Sequence, residues 1–76
     1  MSKFDKLVKR ILDGQSISYK EAETLLKKMG FDLRIRGSHH VFSKPDHERN
    51  VSLKIRNQLL SYQIRLLQEV LKDHGY

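Results

Sequence analysis

Between Gly30 and Phe31 the spacing of apolar residues changes from helical to alternating, and that change decides what the chain can become. Upstream, Ala22, Leu25, Leu26 and Met29 recur at the three- and four-residue steps that line one side of a helix. Downstream, Phe31, Leu33 and Ile35 alternate with Asp32, Arg34 and Arg36. An apolar residue at every second position predicts a strand with one face buried. Gly37 and Ser38 make a tight turn into a second strand, His39 to Ser43. The segment Lys44 to Asn50, which holds the only proline, reads as a polar hairpin loop. In a third strand Val51, Leu53 and Ile55 alternate with Ser52, Lys54 and Arg56.

Helices flank this meander. Phe4, Leu7, Val8, Ile11 and Leu12 follow helical spacing, with Ser2 as a cap and Gly14 as a stop. Ser18 opens the second helix, and Glu21 three residues on completes a capping-box pattern. After Asn57 a last helix carries Leu60, Ile64, Leu67 and Leu71 on one face and ends near Gly75. The order helix, helix, three strands, helix predicts an α+β fold with helices packed on one face of an antiparallel sheet. The other face is left wet.

Seventy-six residues predict a single domain with one modest core and no buried substrate chamber. Such a chain meets large substrates or partner proteins on its surface. It has no cysteine, which excludes a disulfide framework and thiolate zinc sites and fits a reducing cytoplasm. No run approaches the roughly 18 apolar residues of a membrane span, and the N-terminus does not read as a signal peptide. Fifteen Lys and Arg against nine Asp and Glu give a net charge of +6. That excess favours phosphate backbones or an acidic protein partner, although small domains also carry net charge merely for solubility.

The adjacent pair His39 and His40 opens the second strand, so the two rings point to opposite sides of the sheet. If Phe42 faces the core, His40 shares its side and His39 is open; Val41 competes for the core position, and the parity alone leaves both assignments standing. Divergent neighbours cannot converge on one metal ion, and Asp46 and His47 add no recognised ligand spacing. A histidine without a task is the plain alternative. The sharper one is acid–base chemistry, since imidazole exchanges a proton near neutrality. RNA carries its own nucleophile, the 2′-hydroxyl, so cleavage needs a base, cations for the phosphate and help for the leaving oxygen. Arg34 and Arg36 share a face of the first strand and Lys44 closes the second. Gly37 permits close backbone approach by a phosphate, and Ser38 adds a hydroxyl donor. An ordinary solvated sheet face explains the same charges.

The stretch GSHHVFSKP, preceded by a basic strand and a helix ending LLKKMGF, resembles the HicA toxins of bacterial toxin–antitoxin systems. The resemblance covers roughly residues 18 to 72, and SYQIRLLQEVL, residues 61–71, is similar to the closing helix of one branch of that family. It implies a double-stranded-RNA-binding-domain-like fold and a single HicA-like domain over residues 1–76, with residues 1–14 an additional N-terminal helix. It further implies an endoribonuclease that cleaves mRNA and is neutralised by a HicB-type antitoxin; no metal or cofactor is expected, because the attacking 2′-hydroxyl belongs to the substrate. Carried over by motif, the catalytic histidine is His39, with His40 the neighbouring choice, and Gly37 is the turn glycine. Arg34, Arg36, Ser38, His40 and Lys44 complete the expected RNA-binding set. The chain departs from the family pattern in three places. It has no Pro-His pair after the third strand (LKIRNQLL), it carries the extra first helix, and LLSYQ replaces the Lys-Gly-Thr step before the last helix. The rival expectations are an RNA-binding module without chemistry and a basic protein that docks an acidic partner.

Overall fold

Each helix begins where a side chain can satisfy the amides of its first turn. In a computed structural model of the protein, residues 2–54 and 58–76 are described. Helix α1 spans Lys3–Leu12, and the Ser2 hydroxyl accepts a hydrogen bond from the Asp5 amide at 3.1 Å. Helix α2 spans Tyr19–Lys28 behind the full capping box. There the Glu21 amide donates to Ser18 Oγ at 3.2 Å, and the Ser18 amide donates to Glu21 Oε1 at 3.0 Å. Such a cap contributes about 1 kcal/mol. Gly30 ends α2 at φ +97°, and the Phe31 amide reaches back to the Leu26 carbonyl at 3.0 Å. Only glycine adopts that left-handed backbone without strain, so the chain turns there from helix into strand.

Strands β1 (Asp32–Arg36), β2 (His39–Lys44) and β3 (His47–Lys54) form an antiparallel sheet in the order β1-β2-β3. Helix α3, Ser61–Asp73, closes the chain. The α-α-β-β-β-α order and the α+β class agree with the sequence expectation. Ile55 and Arg56 of the expected third strand lie outside the described residues.

Two expectations need correction. The stretch from Lys44 to Asn50 is not a loop: only Pro45 and Asp46 turn, and His47 already pairs with Lys44. The polar run is held in the strand by contacts that lie far off in sequence. His47 stacks on His74 at 5.0 Å between ring centroids and bonds to Asp73 at 3.2 Å, both from the end of α3. Leu60, expected on the apolar stripe of the last helix, instead precedes it as the cap residue and is 42% exposed. Leu59 is buried in its place, its amide bonded to the Ile17 carbonyl at 2.8 Å. Leucine cannot cap through its side chain, so Gln63 Oε1 accepts the Leu60 amide at 2.8 Å, which satisfies a nearly fully buried glutamine.

The core lies between the sheet and the three helices. Phe42, Val51 and Leu53 project into it from the sheet, against Ile11 of α1, Leu25 and Leu26 of α2, and Leu67, Val70 and Leu71 of α3. Phe42 is fully buried, and burial of a side chain that size contributes about 2 kcal/mol or more. The exposed Arg10–Glu21 ion pair, at 2.6 Å, contributes about 0.5 kcal/mol. Apolar burial, not surface charge, decides which face of the sheet is covered.

Candidate nucleic-acid interface

Burial of Phe42 settles the parity that the sequence left open. His40 lies on its side of β2, toward the helices, and His39 points to the uncovered face. The His40 Nδ1 hydrogen-bonds the Tyr19 hydroxyl of α2, with the rings edge to face at 5.1 Å. Burial, and secondarily the Glu23 charge, raises the Tyr19 phenol above its ordinary value, which keeps the hydroxyl protonated at neutral pH. His40 thus ties β2 to α2 from behind, while its neighbour stays free on the front.

The register assembles the open face row by row. Arg36 of β1 and Lys54 of β3 are both direct cross-strand partners of His39. One rung along, Arg34 and Ser52 flank Val41, and beyond that Asp32 faces Ser43. Residues directly opposed across an antiparallel pair stand about 5 Å apart at Cα. The His39 ring therefore sits between two cations, with a third, Arg34, two residues from Arg36 on the same face. His39, Arg34, Arg36 and Lys54 are all exposed. Asp32, the acid on this face of β1, lies about 13 Å from Arg36 along the strand. Among the described residues no side chain hydrogen-bonds the His39 ring.

Gly37 and Ser38 form the two-residue turn that joins Arg36 to His39. Gly37 has φ +59°, which fits the first central position of a type II′ hairpin turn. A Cβ built there meets nothing within 4 Å, so the backbone is open to a ligand. Ser38 is exposed beside it.

Of the residues expected to form one site, the structure brings together Arg34, Arg36, Gly37, Ser38 and His39. It does not bring Lys44 or His40 to them. Lys44 is five residues down β2 from His39, about 16 Å away. Its ammonium lies 5.9 Å from the centre of the Phe31 ring and 4.0 Å from Asp46. Lys54 takes the place expected of Lys44. Its alternation with Val51 and Leu53 already put it on the wet face of its strand; its position opposite His39 depends on a register shift between Phe42 and Lys44. With an unshifted Pro45–Asp46 hairpin, Ser52 would stand there instead.

This face can hold a chain of phosphates across β1 and β3 and present an imidazole to the sugar between them. Among the described residues no group of three His, Asp or Glu is placed to hold a metal ion, and no helix is long and apolar enough to cross a membrane. A family model described as HicA toxin of bacterial toxin–antitoxin systems matches residues 19–76, from the first residue of α2 to the C-terminus. Comparison with curated proteins gives no significant match, and comparison with solved structures gives none.

Proposed function

The chain belongs to the HicA toxin family, and we propose that it is an endoribonuclease that cleaves mRNA on the open face of its sheet, with His39 as the general base. The observation that carries this reading is the row Arg36–His39–Lys54, one imidazole between two cations on an exposed surface. In the proposed step a neutral His39 takes the proton of the 2′-hydroxyl, and the 2′-oxygen attacks the adjacent phosphorus. The bond from phosphorus to the 5′-oxygen breaks, and that oxygen takes a proton, either from the imidazolium or from water. The products are a 2′,3′-cyclic phosphate and a free 5′-hydroxyl. Arg36 and Lys54 offset the charge that builds on the phosphate oxygens, and Arg34 holds the neighbouring phosphate. The attacking oxygen belongs to the substrate, so no metal is needed to generate a nucleophile.

Family membership implies a cognate antitoxin partner. That antitoxin is of the HicB type, and the toxin acts in the cytoplasm where mRNA is found.

A second reading, RNA binding without chemistry, draws on one observation. Among the described residues no carboxylate or second histidine stands beside His39 on the open face to share the proton transfers. The two readings separate on substrate chemistry. With a chelator present, the purified protein should cut a long RNA to cyclic-phosphate ends and should bind, without cutting, the same sequence carrying 2′-deoxyribose. Cleavage of the deoxy strand would exclude the 2′-hydroxyl as nucleophile; salt-sensitive binding with no cleavage of either strand would establish the binding module.

A further inference from the structure

Helix α1 precedes the stretch that the family model matches, yet it builds half of a groove on the helical side of the molecule. It packs chiefly against α2 and α3, on the helical side of the sheet. The groove between α1 and α2 encloses about 430 Å³, with Lys3, Lys6, Arg10 and Lys20 along its rim and Leu7 on its floor. A hollow of about 120 Å³ adjoins it, sharing Lys3, Leu7 and Thr24 and adding Phe4, Leu25 and Lys28. Phe4 also packs on Tyr76, at 5.9 Å between ring centroids.

Charge here is one-sided. Glu21 is the acid that lines the groove, and Arg10 and the Ser18 amide already hold its carboxylate, at 2.6 and 3.0 Å. Among the described residues Lys3, Lys6, Lys20 and Lys28 form no ion pair. Four unneutralised ammonium groups therefore surround an apolar trough. An RNA backbone would meet the ammonium groups but leave that apolar trough uncovered. A polypeptide with carboxylates on its flanks and a bulky aliphatic side chain beneath satisfies both parts.

We propose that the α1–α2 groove docks an acidic amphipathic segment of a protein partner. The groove follows residues 3–10 of α1, about 11 Å of helix axis, which accommodates about two turns of a partner helix. Because it opens on the helical side, an occupant leaves the His39 face uncovered, and the inference stands whether or not His39 cleaves RNA.

The test uses the full chain and a labelled helical peptide of Glu, Leu and Ala, titrated by fluorescence anisotropy. Saturable binding is expected, with amide shifts confined to α1 and α2 in nitrogen–proton NMR spectra. The doubly reversed variant Lys3→Glu/Lys6→Glu should weaken it by at least about tenfold, as should a peptide with Gln for Glu. Both lysines are exposed, so an unchanged NMR fingerprint elsewhere certifies the fold of the variant. Lys54→Ala should leave peptide binding unaltered. Three results would overturn the proposal: no saturable binding, binding that survives the charge reversal, or a short RNA that occupies the groove and is lost with Lys3 and Lys6.

Discussion

Arg36 and Lys54, on the two outer strands, face the same residue of the middle strand, His39, from opposite sides. A phosphate bound between them is held over the imidazole by two charges rather than one. Alanine at either position should weaken RNA binding and reduce the salt dependence, by a slope of about 0.7 per lost single-strand contact. Lys44→Ala should leave both unchanged, since Lys44 lies at the other end of β2 on Phe31. Titrations of one RNA at several salt concentrations separate the first two variants from the third.

Tyr19→Phe removes the hydroxyl that meets His40 Nδ1 and leaves a half-buried nitrogen without its partner. Stability should fall by about 1 kcal/mol. The urea midpoint drops while the slope of the transition stays the same. Cleavage measured where both proteins are folded should stay near wild type, because His40 faces away from the open surface.

At Gly37 the penalty is conformational rather than steric. The backbone has φ +59°, and an added Cβ meets open space. Gly37→Ala should cost about 1–2 kcal/mol by forcing an L-residue into the left-handed region, and Gly37→Asn should cost less. Thermal unfolding of the pair gives the order directly.

The acid limb of stability should depend on Glu21. The hydrogen bond from the Ser18 amide, opposed by burial and aided by Arg10, holds its carboxyl below the ordinary value of 4.5. A carboxyl lowered in the folded state stabilises the fold above its unfolded value and loses that contribution as pH falls through the folded one. Glu21→Gln should therefore be less stable than wild type at neutral pH, and the difference should shrink as the pH drops below 4.5. The side chain is 38% exposed, so the effect is modest. Urea midpoints at neutral and strongly acidic pH measure it.

Local patterns carried much of this architecture. Ser2 and Ser18 cap where short-range chemistry places them, and Phe31 and Phe42 mark a true change of period and a true core face. The misreadings share a cause, which is contact between residues distant in sequence. The strand state of His47 depends on Asp73 and His74 at the far end of the chain. Lys54 reaches His39 through a register shift that no turn residue announces. Ile35 fits the alternation, yet it is 64% exposed on β1, which among the described residues is an edge strand. At the site, the motif led to His39, whereas only the burial of Phe42 separated His39 from His40.

The most direct test of the account is the cleavage rate of a long RNA by purified wild type, with chelator present, beside His39→Ala and His40→Ala. The account predicts that the wild type cuts and that His39→Ala is slower by about a hundredfold or more, as expected for a lost general base. His40→Ala should retain cleavage wherever it is folded. Cleavage by folded His39→Ala at the wild-type rate would contradict the assignment of His39 as the base.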